Sequence, residues 1–304
     1  MKLQFKIHIL ILVIIFYVIS CSSSPVDPEQ LSFAFDAEFR AEMIPVSFKS
    51  HGDELKGYFT HGIGKGPRPT VILLHGFPGG NSDVLGLAEV IPQAGWNVLV
   101  FNYRGLYASE GLCTPMNSTE DVLEALCFLK KEETTQRFNV DQDNIYLAGY
   151  SYGGLHSVVA AAAEPSIKGV IFIAGANINI LMKEVEKGTE YGKMLKEMLR
   201  QEYSNPDVRG PDFDSMIDEI IAVLEKLDII KHASYIADRN ILIIGGWRDM
   251  QATLEDHIVP FYRALQKAGA QNLTQVLLDD DHGFKKERLL LHKTIVSWLY
   301  KRSN

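Results

Sequence analysis

The sequence predicts an α/β fold in which helices cover a mostly parallel β-sheet. The chain has 304 residues, of which 46% are hydrophobic and 22% charged, and this suits one large globular core. Six apolar runs lack the alternation of a half-exposed strand and therefore fit strands covered on both faces: TVILLHG, NVLVFNY, NIYLAGY, GVIFIAG, NILIIGG and TQVLLDD. Helical patterns separate these runs, and such alternation of strand and helix is typical of parallel sheets.

The first 20 residues have the pattern of a signal peptide. Lys2 and Lys6 precede an apolar run from Ile9 to Ile19, which is shorter than the ~20 residues of a membrane-spanning helix. The sequence VISC, which ends at Cys21, resembles a bacterial lipobox, whose Cys is acylated after cleavage. We therefore expect export to a bacterial cell envelope, a lipid anchor on Cys21 that holds the protein to the membrane, and a tether over residues 21–43. An ordinary signal peptide that contains a Cys is the alternative.

Charge and cysteine content narrow the class of partner. The formal net charge of −8 disfavours a nucleic-acid partner. We find no metal-ligand spacing and no phosphate-binding loop in the sequence, so no metal and no cofactor are expected. Besides Cys21 the chain contains Cys113 and Cys127, which could pair in an oxidising compartment or remain as two buried free thiols.

An antiparallel hairpin is predicted before the parallel strands. Ile44–Ser50 and Leu55–His61 alternate as two extended segments. Helical patterns follow at five places along the chain: Ser82–Ala94, Ser118–Lys131, Tyr152–Glu164, Leu254–Ala268 and Lys285–Lys301. We therefore assign residues 44–304 to one domain.

One interval, residues 177–238, interrupts the rhythm of strand and helix. It is too long for a plain crossover and too periodic for a loop, so it predicts about three helices inserted as a cap over the carboxyl edge of the sheet. The interval holds half of the chain's 8 methionines, namely Met182, Met194, Met198 and Met216. A flexible apolar lining is one explanation, and ordinary packing of helices on the sheet is the commoner one.

The stretch GYSYGG, Gly149 to Gly154, has the spacing of a sharp turn from strand to helix. A short apolar strand ends at Gly149, and an Ala-rich helix follows the stretch. Such a turn strains the backbone of its central residue, so the flanking positions must lack a Cβ that would clash with neighbouring chain. Ser151 is therefore expected to present its Oγ at a helix N-terminus.

Four segments together resemble the α/β-hydrolase superfamily: HGFPGG, FNYRGLYASEG, GYSYGG and DDDHGF. Within it the chain is similar to small single-domain esterases and to the catalytic domains of prolyl-oligopeptidase-like peptidases. The likeness runs from about Gly57 to the C-terminus and implies an eight-stranded type of sheet with a helical cap. Asn102 and Tyr107 depart from the Asp and Gly that are frequent in the family. Arg104, in the same segment, is expected to order this loop rather than to catalyse.

The resemblance implies a Ser-His-Asp triad in the chain order of this fold. Ser151 would be the nucleophile, Asp249 the orienting acid after the strand NILIIGG, and His282 the base in DHGF. Backbone N–H groups of Phe77 and Tyr152 would form the oxyanion hole. Rival acids lie in the next helix or beside the base: Glu255, Asp256 and Asp279 to Asp281.

The expected activity is hydrolysis of small-molecule carboxylic esters through an acyl-enzyme on Ser151, in a short pocket between Phe77, Tyr152 and the edge of the cap. A serine peptidase or aminoacyl amide hydrolase is one alternative. The peptidases of this type usually carry a large β domain, which residues 22–43 are too short to hold. The other alternative is a non-catalytic lipoprotein that only binds a ligand. The presence of Ser, acid and His together argues against it.

Overall fold

The computed structural model describes residues 34–36, 38–80 and 84–303. The expected signal peptide, Cys21 and most of the tether lie outside these residues. Within the described ranges, no helix is long and apolar enough to cross a membrane.

Eight strands form one sheet in the described chain. They are β1 Met43–Ser50, β2 Asp53–Thr60, β3 Arg68–Leu74, β4 Asn97–Phe101, β5 Val140–Tyr150, β6 Gly169–Ile173, β7 Asn240–Gly246 and β8 Leu273–Leu278. Their spatial order is β1-β2-β4-β3-β5-β6-β7-β8. The β1–β2 and β2–β4 pairs are antiparallel and the remaining pairs are parallel. The predicted mostly parallel sheet with an antiparallel start is confirmed.

Helices connect and cover the strands. They are α1 Leu87–Val90, α2 Pro115–Lys130, α3 Glu132–Phe138, α4 Tyr152–Ala163, α5 Ile178–Lys187, α6 Glu190–Tyr203, α7 Phe213–Val223, α8 Ile229–Ile236, α9 Val259–Lys267 and α10 Arg288–Tyr300. The helix expected from Ser82 is shorter, because Gly86 has a left-handed backbone with φ of 73° and α1 begins only after it. Helix α3 was not predicted.

The central part of the sheet is buried on both faces, which explains why its strands lack an alternating pattern. In β5, Ile145 and Leu147 pack in one core layer, whereas Tyr146 and Ala148 pack in the other. Helices α2, α4, α8 and α9 cover the first face, and α1 and α10 cover the second. The central strands β4 and β6, residues 241–246 of β7 and residues 145–149 of β5 are therefore buried throughout, whereas the edge strand β1 alternates between buried and exposed residues.

The cap is smaller than predicted and consists of α5, α6 and α7. The fourth helix of the interval, α8, packs beside the sheet against α4 and α9. Its buried residues Ile229, Ala233 and Ile236 recur at the spacing of one helical face, which is the pattern of a crossover helix. Within the interval 177–238, α8 therefore packs with the helices that cover the sheet, whereas α5, α6 and α7 form the cap.

A short segment after α6 ties the cap to the loop that follows β4. Leu106 and Val208 form an antiparallel bridge. Next to it, the N–H of Tyr107 donates to the carbonyl of Asp207 at 2.8 Å, and the N–H of Arg209 donates to that of Gly105 at 2.7 Å. These bonds hold the cap over the carboxyl edge of the sheet.

The loop after β4 is anchored from below by Arg104, as expected. Its Nε donates to Oδ1 of the buried Asp121 at 2.6 Å, and its main-chain N–H donates to Oδ2 at 2.7 Å. The same guanidinium donates to Glu120 at 2.6 Å. A buried guanidinium and carboxylate paired in this way fix the loop that carries the cap contact.

Candidate active site

Ser151 lies in the turn between β5 and α4 with a strained backbone, at φ 54° and ψ −115°. Neighbouring chain comes so close that side chains are excluded. A Cβ on Gly149 would lie 2.0 Å from the carbonyl oxygen of Gly153, and a Cβ on Gly153 would lie 2.4 Å from that of Leu74. The two glycines therefore let the turn form and present the Ser151 hydroxyl at the first turn of α4.

The structure brings Ser151, His282 and Asp249 together in a chain of two hydrogen bonds. His282 Nδ1 lies 2.7 Å from Asp249 Oδ2, and His282 Nε2 lies 3.0 Å from Ser151 Oγ. Because a carboxylate can only accept, Nδ1 carries the proton and Nε2 accepts from the serine hydroxyl. This is the tautomer that a general base needs in order to take the serine proton.

Asp249 is held as a carboxylate. Its side chain is completely buried, and its Oδ1 accepts the main-chain N–H groups of Gln251 and Ala252, each at 2.8 Å. Burial by itself raises the pKa of this carboxyl, but the hydrogen bond and charge of His282, together with the two N–H groups, outweigh burial and hold the pKa below its ordinary value. The acid is therefore ionised and fixed in orientation.

The two residues expected to supply the oxyanion donors, Phe77 and Tyr152, both line the cavity that contains Ser151. Tyr152 is the first residue of α4, so its N–H has no carbonyl one turn earlier in the helix. Phe77 follows β3, and the same segment passes close to Ser151, since a Cβ on Gly76 would lie 3.4 Å from that of Ser151. The Phe77 and Tyr152 rings are 5.6 Å apart.

The rival acids have other partners or positions. Asp279 pairs with Arg248 and Lys286 at the surface. Asp280 accepts the N–H groups of Asp281 at 2.9 Å and Glu287 at 2.7 Å, so it orders the loop that carries His282. Two more rivals lie in the π-helical segment that precedes α9: Glu255 and Asp256.

Two side chains that sequence reasoning missed hold the loop of His282. The Tyr150 hydroxyl donates to the main-chain carbonyl of His282 at 3.1 Å, and the two rings lie 5.1 Å apart. Arg288 donates to the carbonyls of Gly283 at 2.8 Å and Phe284 at 3.1 Å. The position of Tyr150 beside the nucleophile was the available signal, but its contact with His282 depends on the fold.

A cavity of about 400 Å³ extends from Ser151 beneath the cap. It is much larger than the predicted short pocket, because α5, α6 and α7 all contribute to its wall. Among the described residues that line it, Glu202 is the only acid and there is no lysine or arginine. All four cap methionines line it: Met182, Met194, Met198 and Met216. The methionines thus form an apolar lining, which was the less common of the two explanations considered from the sequence.

In the described part of the chain, two of the three buried histidines outside the hydrogen-bonded triad, His75 and His156, have strongly lowered pKa values. His75 is paired through Nδ1 with the carbonyl of Gly76 at 2.7 Å, and His156 is paired through Nδ1 with Thr119 Oγ1 at 2.8 Å. Burial lowers the pKa of His75 to about 4. Burial, helped by His75, lowers the pKa of His156 to about 3. Both rings are therefore neutral at physiological pH.

The two remaining cysteines do not pair. Cys113 is buried beside the cavity, where burial raises the pKa of its thiol to about 12, and Cys127 is exposed. The expectation of two buried free thiols was therefore right for Cys113 only. In the part of the chain that the structure describes, no group of three or more His, Cys, Asp or Glu could hold a metal ion.

Comparison with known proteins agrees with this architecture. A 31.7 kDa protein from the traX-finO intergenic region of Escherichia coli is 33% identical over 107 residues, so the match spans 34% of this chain and 36% of that relative. An esterase of Pyrococcus furiosus superposes with a TM-score of 0.65 at 20% identity, over 91% of this chain and 94% of that one. An acylaminoacyl peptidase of Pyrococcus horikoshii superposes with a TM-score of 0.64 at 18% identity, over 87% of this chain and 42% of that one.

The structural likenesses, at 20% and 18% identity, show the fold alone. A family model described as the alpha/beta hydrolase fold matches residues 69–242, which is more than half of the chain and includes β3 to β6 with the Ser151 turn. By this match and by its sheet, the chain belongs to the α/β-hydrolase family.

Proposed function

We propose that the protein hydrolyses carboxylic esters, with Ser151 as nucleophile, His282 as general base and Asp249 as the orienting acid. The observation that carries this proposal is the continuous hydrogen-bonded chain from the Asp249 carboxylate through His282 to the Ser151 hydroxyl. A serine hydroxyl is a weak nucleophile unless an adjacent base takes its proton, and this arrangement supplies one.

In the proposed reaction, Ser151 Oγ attacks the ester carbonyl carbon while His282 Nε2 takes the hydroxyl proton. The tetrahedral intermediate then collapses, its bond to the alkoxy oxygen breaks, and the imidazolium returns the proton to the leaving alcohol. Water, deprotonated by the same imidazole, attacks the acyl carbon and releases the carboxylic acid with regeneration of Ser151. Asp249 stabilises the imidazolium in both halves of the reaction.

The negative oxygen of the intermediate would be bound by the main-chain N–H groups of Phe77 and Tyr152. The N-terminus of α4 adds the partial positive charge of its helix dipole at the same place. Preorganised donors of this kind each contribute about 10²- to 10³-fold to turnover in serine hydrolases.

The decisive experiment is labelling with a fluorophosphonate, which reacts with activated serines. Ser151 is expected to be the one modified residue, and Ser151→Ala should lose both label and esterase activity. Ser157→Ala is a matched control, since Ser157 is buried on the same helix and donates to the carbonyl of Gly154 at 2.7 Å. Labelling that persists in Ser151→Ala would reject the assignment.

Amide hydrolysis is the second candidate, favoured by the superposition with the acylaminoacyl peptidase. The cavity argues for esters, because its lining consists mainly of apolar side chains that offer few partners to the polar main chain of a peptide. Specificity constants for a butyryl ester and a dipeptidyl amide separate the two candidates. An amide that matches the ester would favour the peptidase.

We further propose that the protein is exported and anchored to a membrane through acylated Cys21, on the strength of Lys2, Lys6 and the apolar run that ends at Ile19. The native protein should partition into detergent, and Cys21→Ser should partition into water. An unacylated, water-soluble native protein would refute the anchor without bearing on the hydrolase.

A further inference from the structure

We propose that the cavity beneath the cap binds the acyl group of the ester, that this group is an apolar chain of roughly 8 to 12 carbons, and that Ile220 limits its length. The inference rests on the proposed ester hydrolysis and specifies the substrate class of that site.

The cavity has an exposed mouth and a buried floor. Met194, Met198 and Met250, which line it, are 63%, 40% and 79% exposed, so they surround the opening. Met182 on α5 and Ile220 on α7, which also line it, are 1% and 5% exposed and lie on the buried faces of these cap helices. An apolar chain can therefore enter past the mobile thioether side chains and end against a closed wall.

The size of the cavity sets the length of the chain. Its volume of about 400 Å³ corresponds to roughly 13 groups of the size of water, each of which occupies about 30 Å³ in the liquid. A methylene group is of similar size, so a chain of about a dozen carbons fills the space. A palmitoyl chain would have to extend out of the mouth into water.

The deep cavity suits the acyl group better than the alcohol. The acyl group stays bound to Ser151 through the covalent intermediate, whereas the alcohol must leave and water must enter before the second half of the reaction. His282, which protonates the alcohol and activates the water, has a side chain that is 12% exposed and therefore reachable from solvent. Exchange at the open side beside His282 leaves the buried floor for the group that remains.

Contact with the apolar wall predicts a length dependence. Burial of each methylene, realised in the transition state, increases kcat/KM up to about fourfold. From acetyl to octanoyl esters we expect a rise of at least 100-fold. The rise should stop once the floor is reached, and kcat/KM should fall for palmitoyl esters.

The test compares p-nitrophenyl esters from acetyl to palmitoyl in the wild type and in two matched variants on α7. Ile220→Ala deepens the floor, whereas Ile217→Ala removes the same atoms from a residue that is equally buried but does not line the cavity. We expect the optimum to move to longer chains in Ile220→Ala only. Ile220→Trp should move it to shorter chains.

A wild-type kcat/KM that does not depend on acyl length would overturn the inference, as would an equal shift of the optimal length in Ile217→Ala. A length dependence found for esters of different alcohols, but not for esters of different acids, would also overturn it. The wild-type profile decides the length of the acyl chain even if a variant fails to fold, and whichever of Ile220→Ala and Ile220→Trp folds decides the role of Ile220. Fluorophosphonate labelling of Ser151 distinguishes a failure of the chain-length inference from a failure of the proposed function. A labelled enzyme with a flat profile refutes the chain-length inference alone, whereas an unlabelled, inactive enzyme refutes the proposed function and this inference with it.

Discussion

The contact between Tyr150 and His282 predicts that Tyr150→Phe lowers turnover although the hydroxyl touches neither nucleophile nor substrate. The hydroxyl donates to the His282 carbonyl at 3.1 Å, and burial raises the pKa of Tyr150 to about 12, so the group remains a donor throughout the assay range. The Tyr150 ring also borders the oxyanion segment, since a Cβ on Gly76 would lie 3.3 Å from it. One side chain thus supports the base and the oxyanion segment together.

The magnitude follows from the bond that is lost. A neutral hydrogen bond contributes about 0.5–1.5 kcal/mol net, and a carbonyl left without its donor costs about 1–3 kcal/mol. If about 1 kcal/mol of this appears in the transition state, kcat falls roughly fivefold with KM little changed. The loss should be confined to turnover because the Phe77 and Tyr152 rings that line the cavity are not altered.

Tyr146→Phe is the matched control. Tyr146 lies on the same strand, and its hydroxyl accepts a hydrogen bond from Asn240 Nδ2 at 2.8 Å, away from the site. Both variants should show a similar decrease in the free energy of unfolding, measured by urea denaturation, but only Tyr150→Phe should lose turnover. An equal loss of kcat in both, or none in Tyr150→Phe, would refute the positioning role.

Three further predictions follow from the site and its surroundings. Asp249→Asn should decrease kcat by up to ~10⁴-fold, as in serine proteases, because the imidazole is left in the wrong tautomer, whereas Asp279→Asn should remain active. His75 and His156 have pKa values near 6.5 in the unfolded chain but about 4 and about 3 in the folded protein, so their contribution to the free energy of unfolding is complete above pH 6.5 and declines as pH falls. Urea denaturation at pH 5 should show that the free energy of unfolding has decreased by on the order of 2 kcal/mol per histidine. A urea midpoint that does not change with pH would contradict this. Arg209→Ala removes the hydrogen bonds that Arg209 donates to the carbonyls of Tyr107 and Ser109 in the loop after β4, and it should lower the free energy of unfolding by about 1 kcal/mol. Limited proteolysis should then cleave the cap faster than in the wild type and before the core, whereas Lys231→Ala on α8 should show neither effect.

The order of strands and helices, the antiparallel start and the turn at Ser151 could be predicted from the sequence because each has a local cause. A strand segment covered on both faces must be apolar, as residues 145–149 of β5 are. Backbone sterics require glycine wherever a Cβ would strike a carbonyl, as at Gly149 and Gly153. Such requirements act over a few residues and are therefore visible in the sequence.

The depth of the cavity, the role of α8 and the contact of Tyr150 with His282 were decided by the tertiary structure. Periodicity shows that residues 177–238 form helices with apolar faces, but only the packing of those helices determines that Met182 and Ile220 line a cavity while Ile217 does not. The physical reason is that a pattern of apolar residues specifies which side of a helix is buried and not what it is buried against. Contacts between segments that are distant in the sequence form only when the chain folds.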